Sequence, residues 1–293
     1  MKNIKVVQHK KAWFSISLAI IIAGLIFTFI NGGLNYGIDF TGGTTIQAHI
    51  GKNFDISTVR ELISKYDSEA IITYAGNEKE DVIIRTKVEL DDASRKEILD
   101  SFVSELDITT SSINFETIGP AIGNELRRQA ILSLVLANIG ILIYISFRFE
   151  WRFGLASVIA LIHDVTVMII IFGVMRIPVN SSFIAAILTI VGYSINNSIV
   201  IFDRIRENLK SAKKIDKVQL VDESINQTFA RSINTSLTTL LSIVVLYVLG
   251  VPAVKDFALP LIVGIVAGTY SSIFIAGPLW IILSSKLKTR SAH

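Results

Sequence analysis

Six stretches of this chain are apolar over about the length needed to cross a bilayer, and nothing else in the sequence restricts its fold so strongly. They cover residues 13–30, 130–147, 153–175, 183–202, 233–251 and 257–283. A helix spans the hydrocarbon core with ~20 apolar residues, and its backbone groups must find their partners within the segment. The composition agrees, with 51% hydrophobic and only 18% charged residues. A cleaved signal peptide is the competing reading of the first run. That run is long for one, and no small-x-small site precedes Asn31-Gly32-Gly33, so an uncleaved first helix is expected.

Residues 31–129 are soluble in character. Gly37-Ile38-Asp39-Phe40-Thr41-Gly42-Gly43-Thr44 leads into an alternating strand at 45–50. Helical periodicity follows at 55–66, with Asp55 or Ser57 placed to cap it. Strands are predicted at 70–74 and 82–88, joined by a polar turn at Gly76-Asn77. A second helix at 91–106 carries Ile98, Leu99, Phe102 and Leu106 on one side, and 112–118 is a last strand. The order β-α-β-β-α-β is that of a ferredoxin-like split βαβ sandwich. In the glycine-rich stretch, Gly37, Asp39, Gly42 and Gly43 read as a structural hinge, since the Gly-x-x-x-x-Gly-Lys of a phosphate loop is absent. The chain divides into a lead and first span (1–30), an extracytoplasmic α+β domain (31–129), and five further spans with their loops (130–293).

Basic residues set the orientation. Lys2, Lys5, Lys10, Lys11, Arg148, Arg152, Arg204, Arg206, Lys210, Lys213, Lys214, Lys217, Arg231, Lys286, Lys288 and Arg290 fall on one side of a six-span arrangement. The short loops of the other side hold only Arg176 and Lys255. Both termini are expected in the cytoplasm. The net charge of +3 gives no case for nucleic acid, and the absence of cysteine excludes disulfides and thiolate chemistry.

Polar groups inside the apolar runs are the candidate functional residues. In the fourth run Tyr193, Ser194, Asn197, Ile201 and Arg204 share one helical face, with Asn196 and Ser198 beside it. The stripe leads to a charged mouth at Asp203, Arg204 and Arg206. It should face other helices or a hydrated path, as interhelical glue or as a functional site. His163-Asp164 lies about midway along the third run, where a carboxylate must be paired, hydrated or protonated. Arg231 opens the fifth run, where snorkelling to the interface is the plain alternative. In the last run Gly264, Gly268, Ser272 and Ala276 recur every four residues, a stripe that admits another helix backbone and to which no chemistry is assigned.

The stretch Gly192-Tyr193-Ser194-Ile195-Asn196-Asn197-Ser198-Ile199-Val200-Ile201-Phe202-Asp203-Arg204-Ile205-Arg206-Glu207 closely resembles the fourth transmembrane helix of the SecF family of bacterial protein export. Gly37–Thr44, His163-Asp164 and the segment opening at Arg231 resemble that family too. One residue departs: Asn197 stands where the family usually has Asp. The resemblance implies half of an RND-type transporter in the bacterial plasma membrane. It implies an accessory Sec subunit that pairs with a six-span SecD-like partner and acts beside the Sec channel on a translocating polypeptide. The matching Arg231 is implicated in ion coupling there. An amide cannot titrate, so either Asp164 or a partner carboxylate carries a proton, or the coupling ion is Na+ held by Asn197, Ser194 and Ser198.

Other classes fit less well. A small-molecule or lipid exporter of the same superfamily would need a second half, and a membrane-anchored sensor would need an output domain. No nucleophile with its base, metal spacing or nucleotide loop is present, so neither an enzyme nor a bound cofactor is expected.

Overall fold

The computed structural model describes residues 4–52, 54–75, 80–211 and 216–286. Lys2, the Gly76-Asn77 turn, Lys213, Lys214, Lys288 and Arg290 lie outside these. In chain order the elements are α1 (Lys10–Ile30), α2 (Ile38–Thr41), β1 (Gly43–His49), α3 (Ile56–Ser64), β2 (Ile71–Ala75), β3 (Asp81–Thr86), α4 (Asp92–Leu106) and β4 (Ile113–Ile118). Then come α5 (Pro120–Arg148), α6 (Trp151–Val174), α7 (Ser181–Ser211), α8 (Lys217–Leu249), α9 (Pro252–Ser271), a π-helical segment (Ser272–Ala276) and α10 (Gly277–Lys286).

Local chemistry explains most of these ends. Asp55 caps α3 by accepting the Ser57 amide at 2.9 Å, and Asp91 caps α4 through Ser94 at 2.9 Å. The bonds from Ser57 and Ser94 hold both carboxyls below their ordinary range. A lowered folded-state pKa means that the caps are intact at neutral pH and lost as pH falls through the lowered value. Asp107 closes α4 in the left-handed conformation (φ 57°), and Pro120 occupies the first turn of α5. β3 stops at Thr86, short of the expected Val88. α5 starts ten residues before Ala130, so one helix runs through the division at 129/130.

Among the described residues, four strands form one antiparallel sheet in the order β2-β3-β1-β4. One face packs Ile46, Val82 and Ile84 against Val59 and Ile63 of α3 and Ile98 and Phe102 of α4. Each such side chain contributes about 1.5–3 kcal/mol by leaving water. The glycine-rich stretch is not a plain lead into β1. It makes the helical turn α2, then passes through Gly42 (φ 77°) and Gly43 (φ 140°), conformations that side chains rarely adopt. A Cβ on Gly43 would collide with the Thr86 carbonyl, and one on Gly42 would lie 2.9 Å from the Pro120 nitrogen.

Among the described residues, six helical segments are long and apolar enough to cross a membrane: α1, α5, α6, α7, α8, and α9 continued through α10. α6, α7 and α9 are the inner ones, while α1, α5 and α8 turn many apolar side chains outward, such as Phe29, Phe147 and Leu249. α1 lies close on α6, because a Cβ at Gly24 would fall on Ile170 and one at Gly173 would meet Thr28. Residues 4–9 form a strap across α8. Asn226 accepts the Ile4 amide and donates to the Ile4 carbonyl, each at 2.8 Å, and Asp222 accepts the Val7 amide at 2.6 Å. Val6 and Val7 are fully buried there.

Gly43→Ala is expected to destabilise the purified chain by at least about 2 kcal/mol, through backbone strain and the Thr86 contact. Gly119→Ala, with φ −70° and open space around it, should stay within about 0.5 kcal/mol. Thermal melting in detergent measures both.

Candidate functional site: a carboxylate enclosed by three helices

α6 carries Asp164 into the middle of the bundle, where its side chain has no exposed surface. Such a group must find partners inside the protein, and three are in place. Oδ2 accepts the Ser194 hydroxyl of α7 at 2.7 Å and the Ser271 hydroxyl of α9 at 2.9 Å. Oδ1 lies 3.1 Å from Nδ1 of His163. The His163 ring, 10% exposed, stacks against Tyr270, whose hydroxyl reaches Ser17 of α1 at 3.1 Å.

Hydroxyls continue along the seam between α7, α8 and α9. Ser198 and Ser272 are 3.0 Å apart. The Asn197 amide donates to Ser236 of α8 at 3.2 Å, and Ser236 lies 2.7 Å from the Thr269 hydroxyl. Tyr193 reaches the Thr235 carbonyl at 3.2 Å and the Thr239 hydroxyl at 3.3 Å.

Glycine sets the spacing of this seam. A Cβ at Gly264 would lie 2.5 Å from Ile190, and one at Gly268 would lie 2.9 Å from Ser194 and 3.5 Å from Asp164 Oδ2. The small-residue stripe of the last span therefore seats α7 of the same chain. The π-helical segment begins just after Ser271, and widened turns of this kind recur at functional sites. Where it begins, the adjacent Ser271 and Ser272 serve different partners, Asp164 and Ser198.

The residues singled out by sequence separate into groups. His163, Asp164, Tyr193, Ser194, Asn197 and Ser198 line the seam. Asn196 and Arg231 do not: both are exposed, on the outer surfaces of α7 and α8. At the mouth Arg204 is held by Gln227 at 2.5 Å and Glu207 at 2.6 Å, Arg206 lies over Phe149 at 5.9 Å, and Asp203 is exposed. Gly37, Asp39, Gly42 and Gly43 belong to the junction of sandwich and spans. There the Gly37 amide donates to the Val179 carbonyl at 2.8 Å, and Asp39 Oδ2 accepts the Ser181 amide at 2.7 Å. Sequence reasoning missed Ser236, Thr269 and Ser271, and took Ser272 only as a small residue. The available signal was four consecutive hydroxyl residues in an apolar helix, Thr269, Tyr270, Ser271 and Ser272.

Residues 98–286 match the family described as protein export membrane protein SecD/SecF, C-terminal, and residues 27–52 match the SecD/SecF GG motif. Protein translocase subunit SecF of Haemophilus influenzae is 36% identical over 91% of this chain and 82% of its own length. SecF of Helicobacter pylori strain 26695 is 41% identical over 88% of this chain and 80% of its own. The crystal structure of SecDF from Thermus thermophilus, described as a translocon-associated membrane protein, superposes with a TM-score of 0.84 at 38% identity. That match covers 96% of this chain and 39% of the SecDF chain, so the present chain spans well under half of SecDF. With six candidate spans, a sheet domain following the first, and sequence agreement over most of its length, the chain belongs to the SecD/SecF family of protein-export membrane proteins, among the SecF subunits.

Proposed function

We propose that this chain is the SecF-type subunit of a bacterial Sec translocase and that Asp164 couples ion movement across the plasma membrane to polypeptide export. Its role is transport rather than catalysis. The carrying observation is a mid-span carboxylate without exposed surface, tied through one oxygen to hydroxyls on two other helices. Gaining or losing charge on Asp164 changes what Ser194 and Ser271 bind, so α6, α7 and α9 must respond together.

A proton is the coupling ion in the first reading. Na+ is the second, favoured by the convergence of the Asp164, Ser194 and Ser271 oxygens, since oxygen donors suit hard cations. Asn197 orients Ser236 and does not titrate.

We read the sheet domain as a ferredoxin-like sandwich outside the cytoplasm, with both termini inside. Lys255, Arg176 and the sandwich lie at one end of the bundle, while the strap, Arg148, Arg206 and Lys217 lie at the other, as positive-inside requires.

A SecD-like six-span subunit is expected to cover one face of the bundle. α8 exposes Arg231, Asn234, Thr235, Thr238 and Ser242, and α7 exposes Thr189, Gly192 and Asn196 beside it. Lipid does not solvate such a face, and a polar helix partner does.

Three experiments bear on this. In vesicles reconstituted with the partner and the Sec channel, with proton and sodium gradients imposed separately, Asp164→Asn should lower gradient-driven export by about tenfold or more, ~1.4 kcal/mol in the barrier. Asn197→Ala should cost about fivefold, the worth of one hydrogen bond of ~1 kcal/mol, and Asn197→Asp should be tolerated. Full activity of Asp164→Asn under both gradients would refute the role given to Asp164. Because the chain has no cysteine, single-cysteine variants need no background changes. Ser104→Cys should react with an impermeant maleimide in intact cells and Glu223→Cys only after permeabilisation; equal reaction of both contradicts the orientation. Asn196→Cys and Asn234→Cys should crosslink to the SecD-like subunit in membranes, and Leu136→Cys on the lipid face of α5 should not.

A further inference from the structure

The sandwich is fastened to the outer ends of the two helices that meet at Asp164. Asp39 supplies a carboxylate to the N-terminus of α7, accepting the Ser181 amide at 2.7 Å. Arg85 of β3 reaches down to Asp256 in the first turns of α9, with Nη2 at 3.0 Å from Oδ2. Asn180 joins these two fastenings. Its Oδ1 accepts the Phe183 amide of α7 at 2.9 Å, and its Nδ2 lies 3.5 Å from the same Asp256 oxygen.

Deeper in the bundle Asp164 Oδ2 joins the same pair of helices again, through Ser194 and Ser271. Along α7 the two ties, at Ser181 and Ser194, are separated by roughly 20 Å at 1.5 Å per residue. Gly264 seats Ile190 of α7 directly on α9 between them, so no loosely packed layer lies there to absorb a shift. Space is present where the two ties meet the sheet domain. A cavity of about 440 Å3 lies among Asp39, Thr73, Arg85, Ser182, Lys255 and Asp256. Charged and hydroxyl side chains share its lining with apolar ones such as Ile71 and Pro252, and it gives the ion pair room to part and hydrate.

We propose that Arg85, Asp256 and Asp39 form a latch that carries the state of the Asp164 site to the sandwich. The proposal rests on Asp164 being the coupling group. A change in how Ser194 and Ser271 are held alters the offset of α7 against α9. Each helix is bound to the sandwich by its own charged side chain, so that offset becomes a tilt of the sandwich or a break in the ion pair. These three are positioning residues, since they touch neither ion nor polypeptide.

The test uses Ser182→Cys, which lines the cavity and belongs to neither tie, in the full chain assembled with its SecD-like partner in vesicles. The rate of labelling by an impermeant maleimide from the sandwich side is measured with and without an imposed gradient. The latch predicts a gradient-dependent rate with Arg85 and Asp256 intact. It predicts loss of that dependence in Arg85→Ala and in Asp256→Asn, with partner co-purification unchanged, and its return in Arg85→Lys. Gradient-dependent labelling that persists in Arg85→Ala and Asp256→Asn overturns the latch, as does labelling that ignores the gradient throughout. A response that survives in Asp164→Asn instead overturns the role given to Asp164, and the Arg85 arm still decides the latch.

Discussion

The arrangement of this protein follows from placing one carboxylate where water does not reach. Asp164 cannot stay in the bilayer interior without donors, and its own helix supplies only His163. The others come from α7 and α9, which must approach within hydroxyl range at that depth. Gly264 and Gly268 give the approach, and the consecutive serines at 271 and 272 serve separate partners. Outer helices α1, α5 and α8 complete the bundle around this inner trio.

How legible this was in the sequence depended on what each level of structure needs. Spans and sandwich strands were written in hydropathy and alternation, because burial forces those patterns on contiguous residues. Asp55 was visible as a cap because capping is local. Gly37–Thr44 was visible as unusual but not as a helical turn, since Gly42 and Gly43 are explained by Pro120 and Thr86, far away in sequence. The same holds in the membrane. His163, Asp164, Ser194 and Asn197 stood out as polar groups in apolar runs, whereas Ser271 and Thr269 looked like ordinary small helix residues. Their role depends on which face of α9 meets Asp164, and only packing fixes that. Asn197 was on the predicted polar face and Asn196 beside it, and the structure separates them further. A rotation of about 100° per residue puts one on the outer surface and the other in the seam.

Polar residues in the spans therefore answer two demands. Those of the seam are satisfied within the chain and hold three helices in register. Those on the outer faces of α7 and α8 are exposed, and in a bilayer that exposure is a requirement for company rather than a tolerance of lipid. The chain supplies the partners of its carboxylate from within, and it leaves polar residues exposed along α7 and α8.

The strap at residues 4–9 bears on how the chain is made. Ile4 and its partner Asn226 are 222 residues apart, and synthesis proceeds from the N-terminus. At ~5–20 residues per second, roughly 10–45 s separates them on the ribosome. During that interval Val6 and Val7 stay unseated, and their docking waits until α8 has been made. Closure of the strap thus reports that at least five spans have been inserted in order. A chain stalled or mis-threaded before α8 would leave Val6 and Val7 without the surface that covers them.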